Sequence, residues 1–318
     1  MIPRRHALAA AAALALPLPA RAQAWPTQPV RIIVPYPPGG SNDVMGRYLA
    51  DRISPRVGQP FVVENRPGAG GNVGAEAVAR SAPDGHTWAV VSNSLLTANP
   101  HVLRSAFDPM RELTIVARLV RPATMLVVTP SLPVQSVRDL VALAQARRGQ
   151  FSYPSSGVGS FQHIGIAALV GDAMEHVPYR GAQALLPDLI AGRVHAFVGA
   201  ANSLIPQVRE GRLRALAIMG PERLPQLPEV PTIAEAGFPG KEVPIWLGVA
   251  VPAATPAPLV ARIEAEILAV MADPEGRAGL ERQGIIPDPL GSAAITEIAR
   301  AEYHETGVLL RRLGIEPS

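Results

Sequence analysis

The feature that most constrains this chain is a repeated unit: a short apolar run, a glycine- or serine-rich turn, and a segment of helical period. It occurs three times. Residues 30–35 form a β-branched apolar run, Pro37-Pro38-Gly39-Gly40 follows, and residues 43–53 alternate apolar and polar faces as a helix does. A glycine-rich turn over 66–74 joins a strand-like 61–64 to a helix-like 74–81. Ser155-Ser156-Gly157-Val158-Gly159-Ser160 joins 151–153 to 162–170 in the same way. Further strands read at 88–92, 113–120, 125–129, 176–179, 196–199 and 215–219. Helices read at 136–146, with Ser136 as N-cap, and at 182–191 and 204–210. Such alternation predicts an α/β fold of mainly parallel sheets flanked by helices.

Two stretches break the rhythm. Residues 221–244 are proline-rich and read as an extended crossing segment. An apolar run at 247–252 then precedes helices at 258–271, with Pro258 in the first turn, and at 293–313. Two lobes joined by two crossings, near 119–128 and 246–251, account for this pattern. Lobe 1 is expected to comprise 25–123 plus 248–318, and lobe 2 to comprise 124–247, with a cleft between them.

Composition narrows the function classes. With 48% hydrophobic residues, the 34 Pro and 28 Gly punctuate packed elements and do not mark disorder. The net charge is only +3 and no basic block carries interleaved aromatics, so nucleic acid is not an expected partner. The absence of cysteine removes thiol catalysis and cysteine-ligated metals. The seven histidines form no H-x-x-x-H pair, no G-x-S-x-G elbow occurs, and neither a metal nor a cofactor is expected. Residues 1–24 read as a secretory signal peptide. Arg4 and Arg5 precede an apolar core at 7–18, and Ala22-Gln23-Ala24 matches a cleavage site, so the mature chain is expected to begin at Trp25 and to be exported.

The turns are where chemistry is expected. A helix start carries unpartnered N–H groups and positive potential, and glycines let a ligand approach the main chain. The first turn offers this with Ser41 or Asn42 as cap. Asp43 either complements the helix dipole or binds an ammonium group or a water. The second turn adds the hydroxyls of Ser155, Ser156 and Ser160. His163, one turn into its helix, reads more simply as a packed or capping residue than as a ligand contact. Facing each other, the two turns make a two-sided clamp for a carboxylate. The third, with Gly68, Gly70 and Gly74, approximates a dinucleotide fingerprint, but Arg66 and Pro67 intervene and no acidic residue ends the next strand. A βα turn lining the same cleft is the better reading.

Taken in order, VPYPPGGSNDVMGR, VVENRPGAGGNVGAEAVARSAPDGHT, SYPSSGVGSFQHI, HVPYRG, GRLRALAI, PEVPTIAEAGFPG and IWLGVAVPAATP resemble the Bug family, the extracytoplasmic solute receptors of tripartite tricarboxylate transporters. The resemblance covers nearly all of the chain after residue 24. It implies a two-lobed periplasmic-binding-protein fold of the Venus-flytrap type II, a monomer, and delivery of a small organic carboxylate to membrane permease subunits. It also implies ligand contacts from Tyr36, Pro38, Gly39, Gly40 and Asp43 in the first turn. In the second they come from Ser155, Ser156, Gly157, Gly159, Ser160 and His163, and at the distal cleft from Tyr179, Arg180 and Gly181. Two departures stand out. The helix after His163 is about three residues short and lacks the family's usual acidic residue. GAANS replaces an Asp-Asn-type pair, leaving Asn202 as its stand-in. The alternatives are a secreted α/β enzyme or a ligand sensor using the same cleft.

Overall fold

Each of the three turns sits between a strand and a helix in the computed structural model, which describes residues 25–179 and 182–316. The chain opens with β1 (Val30–Val34), α1 (Ser41–Val57), β2 (Phe61–Asn65), α2 (Asn72–Ala79) and β3 (Thr87–Ser92). Three short helices follow, α3 (Asn93–Thr97), α4 (Asn99–Val102) and α5 (Pro109–Glu112), before β4 (Leu113–Pro122). Next come β5 (Thr124–Val128), α6 (Val137–Ala146), β6 (Ser152–Ser155), α7 (Phe161–Val170), β7 (Glu175–Pro178) and α8 (Ala182–Ile190). After β8 (Ala196–Ala200), α9 (Ala201–Arg209) and β9 (Arg214–Ile218), the chain returns through β10 (Leu247–Pro252). It ends with α10 (Ala257–Met271), α11 (Pro274–Glu281), β11 (Ile285–Gly291) and α12 (Ser292–Arg312).

One sheet has the order β11-β4-β10-β3-β1-β2, and the other runs β8-β5-β9. The β6-β7 pair lies beside β8, where the His195 N–H donates to Ser152 O at 2.9 Å. Alternation sends neighbouring side chains to opposite faces. Ile32 faces Met45, Leu49 and Ile263, while Ile33 faces Ala75, Val78 and Ile295, so the first sheet is buried on both sides. The second sheet does the same, with Leu126 toward Leu140 and Ile166 and Met125 toward Leu185 and Leu204.

Strand direction corrects one expectation. β1 is parallel to β2 and β3, and β6 to β7. But β10 is antiparallel to β3 and β4, β11 to β4, and β5 to β8 and β9. The crossings impose this: β4 leaves the first sheet and β10 re-enters it beside β4, so the two must run in opposite senses. β11 carries Pro287 and Pro289, which is why it was not anticipated as a strand; it lies on the sheet edge, where a missing N–H costs no ladder bond.

Candidate functional site

The first jaw is the turn between β1 and α1. Gly39 sits at φ +86, a left-handed conformation that favours glycine. Its N–H donates to Asp43 Oδ2 at 3.0 Å. The same carboxylate accepts from Arg47 Nε (3.0 Å) and Nη2 (3.1 Å) and from Asn65 Nδ2 (3.0 Å). Burial pushes the Asp43 pKa up, but the bonds from Arg47, Gly39 and Asn65 outweigh it and hold the group below the usual carboxylate range. Asp43 therefore braces the jaw from behind. Tyr36 ties three turns together, since its hydroxyl bonds Ser92 Oγ at 2.9 Å and Gly70 O at 3.3 Å. Burial raises its pKa to about 12, so it stays a neutral phenol.

The second jaw, between β6 and α7, is braced similarly. Ser155 is fully buried. Its Oγ donates to Gly157 O (2.9 Å), accepts from Gly157 N–H (3.0 Å) and lies 2.6 Å from His176 Nε2. Ser160 caps α7 through the His163 N–H and also donates to Gly157 O at 2.7 Å. The Ser156 hydroxyl donates to Gln162 Oε1 at 2.8 Å. His163 stacks on His176 with centroids 3.7 Å apart and an 8° interplanar angle, and its Nδ1 accepts from the Gly159 N–H at 3.3 Å. Burial, reinforced by His176, pushes the His163 pKa down to about 4.

Between the jaws lies a cleft with an inner cavity of about 100 Å³ and an outer one of about 510 Å³, which share Tyr36, Pro37, Gly70, Ser156, Gly157 and Val158. Four helix starts open onto the inner cavity: α1 at Ser41 and Asn42, α3 at Ser92 and Ser94, α7 at Ser160 and Gln162, and α9 at Asn202 and Ser203. No Asp, Glu, Lys, Arg or His lines either cavity among the described residues. Phe161, Ile245 and Leu247 supply apolar wall. Across the cleft, Ser41 Oγ donates to Asn202 Oδ1 at 2.9 Å. Asn42 Oδ1 is buried without a protein partner. Such a lining suits an anion held by amides, hydroxyls and helix dipoles, with an apolar body beside it.

The residues anticipated from sequence divide into two groups. Tyr36, Gly40, Ser156, Gly157, Ser160 and Asn202 line the inner cavity, and Tyr179 lines the outer one. Asp43, Ser155, Gly159 and His163 stand behind the walls as braces, and Pro38 and Gly39 lie outside them at the exposed tip of the first turn. Tyr179 is engaged with Asp188 Oδ2 at 2.7 Å. Arg180 and Gly181 lie outside the described residues. Sequence reasoning missed Ser94, Asn99 and Ser203. The signal was present in Ser92-Asn93-Ser94 and Ala201-Asn202-Ser203, each a strand end running straight into a helix without glycine. Gly70 lines the cleft, as the βα-turn reading of the third motif expected.

The family profile described as "Tripartite tricarboxylate transporter family receptor" matches residues 45–315. The UPF0065 protein of the tcbD-tcbE intergenic region of a Pseudomonas species is 37% identical over 291 residues, 89% of this chain and 87% of that protein. The solved structure of R. palustris Rpa4515 with adipate is 34% identical with a TM-score of 0.88, covering 92% of this chain and all of that one. The periplasmic binding protein BugD is 26% identical with a TM-score of 0.85, over 92% of this chain and 100% of its own. The matching profile is that of a transporter receptor, BugD is a periplasmic binding protein, and neither is an enzyme. The chain belongs to the tripartite tricarboxylate transporter receptor family, the Bug receptors, and has their two-lobed fold.

Proposed function

We propose that this protein captures a small organic carboxylate between its lobes and delivers it to the membrane permease of a tripartite tricarboxylate transporter. The observation that carries this reading is the convergence of four helix starts on a cleft whose described walls bear no charged side chain. Neutral donors preorganised in a desolvated cleft favour an anion without the entropy and desolvation penalties of an arginine clamp. Ordered water between the amides and the carboxylate would serve nearly as well as direct bonds. A ligand that touches both jaws favours the closed state by its difference in affinity for the two states. The adipate bound by Rpa4515 supports the choice of carboxylate. Within this reading residues 25–123 plus 248–318 and 124–247 are the two lobes, with Ala123 between β4 and β5 as the outward crossing. Within this reading the protein acts as a monomer, and residues 1–24 direct export to the periplasm. No helix among the described residues is long and apolar enough to cross a membrane, consistent with a separate permease.

Mass spectrometry of the ligand released from purified protein tests this directly, followed by thermal-shift screening of carboxylates. A true ligand at a hundredfold excess over Kd adds about 2.7 kcal/mol, or roughly 5–10 °C in Tm. Release of only cations or neutral sugars would contradict the reading.

A further inference from the structure

The sequence resemblance places His163 against the ligand, but the structure turns its ring away from both cavity walls and onto His176. The two imidazoles link α7 to β7. Each also holds one end of the same turn, with His163 Nδ1 accepting the Gly159 N–H (3.3 Å) and His176 Nε2 lying 2.6 Å from Ser155 Oγ. Through Ser155 the second contact reaches both the N–H and the C=O of Gly157, which lines the cleft. We propose that His163 and His176 act as a stacked neutral pair that positions the second jaw, and that protonating the pair releases the ligand.

The geometry requires a particular proton arrangement. Nδ1 of His163 must be bare to accept from Gly159, which puts its proton on Nε2. A second proton on Nδ1 would set two donors against each other and strip Gly159 of its acceptor. Two cationic rings 3.7 Å apart would also repel. The other titratable ring packed on the pair is Tyr153, with centroids 5.9 Å from His163 and 5.3 Å from His176; burial raises its pKa, so it stays neutral. Among the described residues no acidic group is paired with either imidazole, so nothing nearby compensates an added charge. Burial lowers the pKa of both histidines, as a neutral pair requires.

The ligand arm of the test rests on the carboxylate reading, so it is joined to one that needs no ligand. Long-range nitrogen–proton spectra of the labelled, ligand-free protein should show His163 as the Nε2–H tautomer, titrating well below 6.5. The Gly159 amide should shift with the same midpoint. Calorimetry with adipate then compares the wild type with His163→Asn and His163→Phe, near pH 7 and near pH 4, where His163 carries its second proton in about half of the molecules. Asn keeps an acceptor where Nδ1 stood and does not titrate but gives up the stack on His176, so binding near pH 7 should weaken less than in His163→Phe and should fall less in acid than that of wild type. Phe keeps the stack but strands the Gly159 N–H, so affinity should drop by about tenfold or more. Protonation of adipate itself affects all three proteins equally. An Nδ1–H tautomer, a Gly159 amide indifferent to the ring titration, or equal acid losses in wild type and His163→Asn would overturn the proposal. If wild type fails to bind adipate near pH 7, that choice of ligand fails, and the ring spectra still decide the role of the pair.

Discussion

Ser41 Oγ donates to Asn202 Oδ1 at 2.9 Å, joining the start of α1 to the start of α9 across the cleft. The bond can form only when the two sheets are brought together, so it stabilises the closed state alone. Ser41→Ala and Asn202→Ala should each weaken adipate binding by roughly two- to tenfold, corresponding to about 0.5–1.5 kcal/mol. The loss should appear mainly as faster release, because closure governs escape. Stopped-flow measurement of both variants and the double variant checks this. Additive losses in the double variant would show that the bond is not shared in the bound state.

Gly159 offers a steric test of the same closure. A Cβ there would lie 2.5 Å from Val102 Cγ2 of α4, and its φ of +73 costs a side chain about 1–2 kcal/mol besides. Gly159→Ala should hold the lobes apart and reduce affinity by about tenfold or more. Small-angle scattering with saturating ligand should then show a larger radius of gyration than wild type. Adding Val102→Ala should restore part of the affinity.

Asp43→Ala removes one buried acceptor from three donor residues, Gly39, Asn65 and Arg47. Arg47 is more than half exposed and rehydrates, so the cost falls chiefly on the Gly39 and Asn65 groups, about 2 kcal/mol in all. Calorimetric Tm should fall by roughly 4–8 °C. Ligand affinity should fall with it, since the first jaw loses its brace.

Stability should decline in acid in two stages. The pKa of His163 is near 4 in the folded protein against about 6.5 unfolded, so the unfolded chain binds more protons between those values. Its stabilisation is complete above about pH 6.5 and is lost on the way down, at no more than roughly 1.4 kcal/mol per pH unit. His176 is shifted in the same direction and adds to this stage. Asp43 is depressed, so its stabilisation is fully present above about pH 4 and is lost only as the pH falls below that. Urea midpoints measured against pH should show both stages, and His163→Asn should flatten the first.

The units that were legible in the sequence are those whose structure is local. Strand, glycine turn and helix follow one another within the 28 residues from Val30 to Val57 for β1 and α1, and Ser136 caps its helix as its position suggested, with its Oγ accepting from Asp139 N–H at 3.1 Å. What could not be read depends on distant partners. Asp43 becomes a brace because Asn65 arrives from β2, and Ser41 meets a residue 161 positions away. His163 left the expected clamp because His176, on another strand, offers a flat ring to stack on. The short helices α3 and α4 carry too few residues to show a period, yet α3 supplies Ser94 to the cleft and Asn99 of α4 holds Gly70 O at 3.1 Å.

The central claim is that helix starts and hydroxyls of the described walls, which bear no cationic side chain, bind a carboxylate. Calorimetry on ligand-stripped protein should compare adipate with its neutral diamide and with a diamine of the same chain length. The account predicts binding of the dianion and at least about a hundredfold weaker binding of the diamide and the diamine, a difference of about 2.8 kcal/mol. Equal or tighter binding of the diamine or the diamide would contradict it.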